Sequence, residues 1–163
     1  MLDHLIEIIF RNVPLAKVGF LLKDLTGSGQ MVANYCLTLE SISIDLSSEQ
    51  SIREIFSNNT EFGLFVNLTD LCKSDVCLPG CGIVVYKYPD SVSLELNCQL
   101  SEILKLIGND FVKALMKLAK SIAMDYEIGD YFCGIEPAQD AEMRLFTNDE
   151  LGPLRIINDG KSC

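Results

Sequence analysis

The chain has 163 residues, of which 48% are hydrophobic and 22% charged, and its formal net charge is −10 at pH 7. This length and composition predict a single globular domain over residues 1–163 with a substantial apolar core. Residues 125–163 hold nine acidic and three basic side chains, so most of the net charge lies near the C-terminal end. Such a field attracts basic surfaces and repels phosphate, which argues against direct nucleic-acid binding.

Location and redox state follow from what the sequence lacks. No stretch approaches the roughly 20 apolar residues of a membrane helix. The first residues lack the basic start and the cleavage site of a secretory signal. We therefore expect a soluble, cytoplasmic protein without membrane contact. The seven cysteines are an odd number in a chain without an export signal, which predicts reduced thiols rather than a disulfide framework.

The first half of the chain predicts several strands and one short helix. Residues 2–10 fit both a helical stripe and a strand, and Pro14 should end that element. Residues 18–22 predict a short buried strand, and residues 26–29 a turn or a flexible loop. The elements expected next are a strand over residues 31–39, an alternating strand over residues 42–46, a short helix, and a strand over residues 62–68. Ser47 or Ser48 caps this helix, and Gln50 is placed for a capping box on Ser47.

The second half begins with a hairpin and continues into helices. Residues 82–98 predict two strands around a type I turn at Pro89, with Ser93, Glu95 and Asn97 on the polar side of the second strand. The elements expected after it are a helix from Ser101, an interruption at residues 108–110, a helix over residues 111–124, strands over residues 131–135 and 145–147, and a frayed end over residues 158–163. Strands in runs followed by late helices predict an α+β fold with a mostly antiparallel sheet and helices packed on one face.

Three cysteines close together suggest a metal site as one alternative. Cys72, Cys77 and Cys81 could be gathered by the turn at residues 78–80, although their spacing lacks the ligand pairs of zinc frameworks. The alternative function is therefore a metal-binding enzyme of unrecognised class that uses these thiols. Cysteine or serine catalysis would require a base, and the sole histidine, His4, is a poor candidate near the terminus. We predict no cofactor and no catalytic residue.

The acidic C-terminal part predicts a protein-binding surface. Its carboxylates are mixed with aromatic residues that we expect to be exposed, and aromatic anchors within an acidic rim suit a basic protein partner. The alternative is that the acids only keep the domain soluble. The stripe of Lys113, Lys117 and Lys120 is interpreted as a solvated helix face that pairs with nearby acids. The predicted partner-binding residues are Tyr131, Glu136, Asp140, Glu142, Phe146, Asp149 and Glu150.

Two segments near the C-terminal end resemble a known group of proteins. The sequence DYFCGIEP from Asp130, followed by RLFT from Arg144 and DELGPL from Asp149, resembles small immunity proteins of bacterial toxin systems, including those of contact-dependent growth inhibition. The resemblance covers about the last third of the chain. It implies a cytoplasmic, cofactor-free inhibitor, not an enzyme, that binds one cognate basic toxin domain, in many cases a nuclease.

A third hypothesis is a structural adaptor in which Val92, Leu94 and Leu96 pair between chains. The sequence does not predict the oligomeric state, the identity of the toxin or the binding mode. We therefore expect an acidic immunity protein that neutralises a basic toxin, with the metal-binding enzyme and the adaptor as alternatives.

Overall fold

The computed structural model of the chain describes residues 3–36 and 44–154. Ten strands and four α-helices lie within these residues. In chain order they are β1 (Leu5–Arg11), α1 (Leu15–Gly27), β2 (Met31–Cys36), α2 (Glu49–Asn58), β3 (Phe62–Leu68), β4 (Asp70–Lys73), β5 (Val76–Pro79), β6 (Gly82–Lys87), β7 (Val92–Gln99), α3 (Leu100–Ile107), α4 (Phe111–Asp125), β8 (Asp130–Ile135), β9 (Arg144–Thr147) and β10 (Glu150–Leu151).

Eight of the strands form one sheet in the order β10-β9-β8-β1-β7-β6-β3-β2, and β4 pairs with β5 in a separate hairpin. Every pairing is antiparallel. The first strand lies in the middle of the sheet, because β1 pairs with β7 on one side and with β8 on the other. The sheet therefore joins the N-terminal segment to strands from the second half of the chain.

One face of the sheet carries the apolar core. Ile6, Ile8 and Phe10 point to this face from β1, and each is at most 1% exposed. Buried residues of all four helices described above belong to the same core cluster. These helices therefore pack on one face of the sheet, and the predicted α+β class with a mostly antiparallel sheet is confirmed.

The opposite side of the sheet is called the open face below. It follows from the alternation of side chains along the paired strands. The described side chains on it include Glu7, Ile9 and Arg11 of β1, Phe65 and Asn67 of β3, Val84 and Tyr86 of β6, Ser93, Glu95 and Asn97 of β7, and Phe132 of β8.

Most of the elements predicted from residue 62 onward are confirmed. The strand over residues 62–68 is β3, and the hairpin over residues 82–98 is formed by β6 and β7. A 3-10 turn at Gly108–Asp110 separates α3 from α4, as the interruption in the sequence indicates. Strands β8 and β9 also lie where the sequence places them.

The prediction of a strand over residues 18–22 is wrong, because these residues lie within helix α1. The buried side chains of this helix have the spacing of one helix face. They are Val18, Leu21, Leu22 and Leu25, and Gly19 is buried beside them. The stripe extends to Leu25, beyond the short apolar window that suggested a strand. Pro14 directly precedes the helix, where its fixed φ and missing N–H are tolerated.

The strand predicted over residues 42–46 is wrong where the structure describes it. Ile44 and Leu46 are buried, but Asp45 forms a turn with its side chain, accepting hydrogen bonds from the backbone N–H and the hydroxyl of Ser47. This local bonding competes with a strand ladder. Ser48 then caps α2 by accepting from the N–H of Ser51 at 3.2 Å, so a capping box on Ser47 does not form. Residues 42–43, residues 37–39 of the preceding strand and residues 158–163 lie outside the described residues.

The adaptor hypothesis is also wrong in its structural premise. Val92, Leu94 and Leu96 are at most 3% exposed, and β7 lies between β1 and β6. These side chains belong to the core and are not available to pair with a second chain.

We expect the substitution Ile8→Ala to lower the free energy of unfolding by about 2–5 kcal/mol, because it leaves a cavity in the central strand. Urea denaturation measures this change. The control is Val32→Ala on edge strand β2, where the side chain is 64% exposed and the expected change is within about 0.5 kcal/mol. Equal effects at the two positions would contradict the central placement of β1.

Candidate partner-binding surface

The predicted acidic residues belong to two separate groups in the structure. Glu136, Asp140 and Glu142 lie on the connection between β8 and β9, called the acidic loop below (residues 136–143). Asp149 and Glu150 lie at the hairpin between β9 and β10, near the opposite end of β8. The length of β8 separates the groups by roughly 17 Å, at about 3.4 Å per residue. The predicted site is therefore not one patch.

The acidic loop is fixed by two hydrogen bonds from its backbone N–H groups to residues of β1. The N–H of Glu136 donates to the carbonyl of Leu5 at 3.0 Å, and the N–H of Ala138 donates to the Glu7 carboxylate at 3.0 Å. Ala138 is fully buried in a small cluster with Ile9 and Phe132 on the open face. The peptide bond between Glu136 and Pro137 is cis. These contacts define where the loop presents its carboxylates.

One arginine attaches this loop to the sheet, and a second arginine contacts the same aromatic ring of β8. The guanidinium of Arg144 donates to the carbonyls of Ala138 and Gln139, each at 3.2 Å, and lies 4.1 Å above the ring centre of Phe132. Arg11 lies 4.7 Å from the same ring centre. Both cations therefore contact an aromatic ring. Glu136, Asp140 and Glu142 are exposed and form no ion pair with any of the described residues.

The second group, at the hairpin, already has a cationic neighbour. Lys120 of α4 forms an ion pair with Asp149 at 3.2 Å, and the hydroxyl of Tyr131 donates to the same carboxylate at 3.4 Å. Lys113 pairs with Asp110 at 3.6 Å. Two members of the lysine stripe thus pair with acids, as the sequence predicts for a solvated helix face. Because Lys120 already pairs with Asp149, a cationic partner gains less from Asp149 than from the unpaired carboxylates of the acidic loop.

The expectation that the C-terminal aromatics are exposed is wrong. Tyr131 is 6% exposed and Phe146 is 0% exposed, because β8 and β9 are inner strands whose alternate side chains enter the core. Tyr126 and Phe132 are likewise at most 5% exposed. Burial raises the pKa of Tyr131, with smaller contributions from the charge and the hydrogen bond of Asp149. The predicted aromatic anchors are therefore core residues that support the acidic segments from beneath.

The structure brings Glu95 into the site, although sequence reasoning had placed it only on the polar side of β7. Its neighbours in register are Ile9 on β1 and Val84 on β6, and both are at most 8% exposed. Burial raises the pKa of Glu95, and the negative charges of Glu7 and Glu136 raise it further. The alternation in the sequence marked this position as polar, but it could not show that the neighbours across the sheet are apolar.

The three thiols of the metal hypothesis do not converge. Cys72 and Cys77 face each other across the β4–β5 hairpin and form a disulfide, so the expectation of reduced thiols is wrong for this pair. Cys81 is buried in the core, where a hydrogen bond with Cys98 and burial raise its pKa. The residues 3–36 and 44–154 contain no group of three or more potential ligands that could hold a metal ion. The disulfide and the position of Cys81 overturn the metal-binding alternative.

A further thiol, on β8, is equally protected. Cys133 is fully buried, and burial raises its pKa. A protonated thiol is a weak nucleophile.

The part of the chain that the structure describes contains no helix long and apolar enough to cross a membrane.

Comparisons with known proteins agree with this fold. The family model described as PABL017 Cdi1I immunity protein matches residues 4–151. The structure is also similar to a chain in the crystal structure of the toxic C-terminal tip of CdiA from Pseudomonas aeruginosa in complex with immune protein. The TM-score is 0.80 at 25% sequence identity, and the match covers 94% of this chain and 100% of that chain. None of the curated proteins compared with the chain matches it in sequence.

Sequence and fold together define the class of protein: an immunity protein of bacterial contact-dependent growth inhibition, which is a protein inhibitor and not an enzyme. The chain belongs to the PABL017 Cdi1I immunity protein family. The resemblance found in the last third of the sequence is confirmed, and the family match extends it to most of the chain.

We expect Glu95→Gln to stabilise the free protein at pH 7. The folded-state pKa of Glu95 lies above its ordinary value of 4.5, so the folded state binds the proton more tightly than the unfolded state does. Stability from this group is fully present below pH 4.5 and is lost as the pH rises through the folded-state pKa. The gain from Glu95→Gln should therefore be present at pH 7 and disappear at about pH 4.

Thermal unfolding of both proteins across this pH range measures the effect. The matched control is Glu54→Gln on α2, an exposed carboxylate whose described partner is the Gln50 side chain. A loss of stability at pH 7 in Glu95→Gln, with none in the control, would show that the charge of Glu95 is stabilising.

Proposed function

We propose that the chain binds the cognate toxin domain of a CdiA protein and neutralises it by covering a positively charged surface. The observation that carries this proposal is the acidic loop. It holds three exposed carboxylates, Glu136, Asp140 and Glu142, on a backbone tied to β1, and no described cation pairs with them. The family match, and the similarity to a chain in the crystallised complex of a CdiA toxic tip with immune protein, support a toxin as the partner.

The physical basis is electrostatic preorganisation. Carboxylates whose backbone is already fixed lose little conformational freedom when an arginine or a lysine binds them. Charge-assisted hydrogen bonds are stronger than neutral ones, and complementary charge accelerates encounter. Asp149 and Glu150 form a second, weaker contact in this proposal, because Lys120 already pairs with Asp149. Tyr131 and Phe146 contribute by supporting these segments rather than by touching the toxin.

The proposed toxin is a nuclease. A nuclease must bind phosphate, so its active surface carries positive charge, and an acidic inhibitor would compete there with nucleic acid. The net charge of −10 opposes nucleic-acid binding by the inhibitor itself. We propose the cytoplasm as the place of this encounter, since cellular nucleic acid is there.

The nuclease proposal predicts that the purified toxin domain degrades RNA or DNA, and that one equivalent of this protein stops the degradation. A gel-based cleavage assay, with the inhibitor titrated through the 1:1 point, measures this. A toxin that binds the protein tightly but leaves nucleic acid intact would contradict the nuclease assignment while leaving the binding proposal in place.

The binding proposal predicts that the triple variant Glu136→Lys, Asp140→Lys, Glu142→Lys associates with the toxin domain at least about tenfold more slowly at low salt. Surface plasmon resonance measures the association rate. The control variant Glu54→Lys, Glu61→Lys, Asp110→Lys alters three exposed acids elsewhere and changes the net charge equally. Equal slowing in both variants would assign the effect to total charge, and no slowing in the loop variant would exclude the acidic loop.

A further inference from the structure

The open face contains a carboxylate in an apolar row. Across the sheet, the residues in register are Phe132, Ile9, Glu95, Val84 and Phe65. Glu95 is only partly exposed. None of the side chains that the structure describes forms a hydrogen bond or an ion pair with its carboxylate. A partly buried charge without a partner is costly in the free protein.

The neighbouring charges increase this cost. Glu7 and Glu136 are the charges that act on Glu95, and both are negative. The amide oxygen of Asn97, two residues along the same face of β7, is also buried without a hydrogen-bond partner. In a free, correctly folded protein, unsatisfied groups of this kind are few. Of the two groups, the partly exposed Glu95 carboxylate is the one that a binding partner can reach.

The surface around Glu95 is concave. A groove runs along the open face, lined by Ile9, Arg11, Tyr86, Tyr88, Glu95 and Gln139 among others. Gln139 belongs to the acidic loop, so the groove is bordered by the loop already proposed to contact the toxin. Tyr88 is 48% exposed, which makes its ring accessible to a partner.

The arginine that lines the groove does not neutralise Glu95. The Arg11 guanidinium lies against the ring of Phe132 and forms no ion pair with Glu95. The groove therefore combines an unpaired carboxylate with two tyrosine rings. A cationic side chain with an apolar stem fits this combination, because the stem can cover the rings while the charge meets the carboxylate.

We propose that this groove receives an arginine or a lysine side chain of the toxin domain, with its charge against the Glu95 carboxylate and its stem against Tyr86 and Tyr88. This inference rests on the proposed function, because it identifies where the toxin docks. It adds a central contact that lies beyond the acidic C-terminal part and is continuous with the acidic loop. The free protein retains an unfavourable charge at this position, and the bound toxin neutralises it.

The test uses the full chain and the cognate toxin domain. Isothermal titration calorimetry should give a Kd for Glu95→Gln at least about tenfold weaker than for the wild type, because the charge pair at the centre of the contact is lost. The Kd of Tyr88→Ala should weaken by about threefold to tenfold, because the stem loses its packing against the ring. Raising the salt concentration should weaken wild-type binding more steeply than binding by Glu95→Gln.

Controls separate this inference from the proposal on which it rests. Glu54→Gln, the same substitution on the helix side of the sheet, should bind as tightly as the wild type. If wild-type protein does not bind the toxin domain, the proposed function fails. If the wild type binds, and both Glu95→Gln and Tyr88→Ala bind equally well with an unchanged salt dependence, the groove proposal fails and the proposed function stands.

Discussion

The structure depends on the burial of β1 between β7 and β8. Ile6, Ile8 and Phe10 enter the core from this strand, and its backbone bonds join the hairpin of the middle of the chain to the C-terminal strands. The opposite face of the same strand carries Glu7, which holds the acidic loop through the N–H of Ala138. The central strand thus stabilises the fold on one side and positions the proposed binding surface on the other. No contact local in sequence could bring Glu95 and Glu136 together in this way.

The electrostatic character of the open face has a consequence for the free protein. Carboxylates that repel one another lower the stability of the folded state, whereas the apolar core on the helix side offsets this cost. In the proposed complex, binding energy arises when a cationic partner removes the repulsion. A protein that inhibits by binding can retain such a surface because its working state is the complex. The disulfide between Cys72 and Cys77 closes the β4–β5 hairpin, and the salt bridge between Lys73 and Asp125 joins this hairpin to helix α4 on the helix side of the sheet.

Much of the fold was predictable because its signals are local. The alternation in β7 and the helix break at Gly108–Asp110 both depend on residues within a few positions of one another, and both were predicted correctly. Helix α1 was mistaken for a strand because the window ended before Leu25 completed its stripe. The β4–β5 hairpin was missed because its turn uses Ser74 and Asp75 at positive φ, with no glycine to mark it.

The candidate site was predictable only in part. The acidic loop was found from charge, which composition reveals directly. The burial of Tyr131 and Phe146 was not predictable from the sequence, because it depends on β8 and β9 lying inside the sheet rather than at an exposed edge. Glu95 was visible as a polar residue on a strand, but its significance depends on Ile9 and Val84, which are distant in sequence and adjacent in the sheet.

The central claim is that a positively charged toxin surface docks on the open face of the sheet and on the acidic loop. A crystal structure of this protein bound to its cognate toxin domain tests it most directly. The account predicts that the toxin covers β6, β7 and residues 136–143, with an arginine or lysine nitrogen within about 4 Å of the Glu95 carboxylate. A toxin seated on helices α1 and α2, with the open face left in solvent, would contradict it.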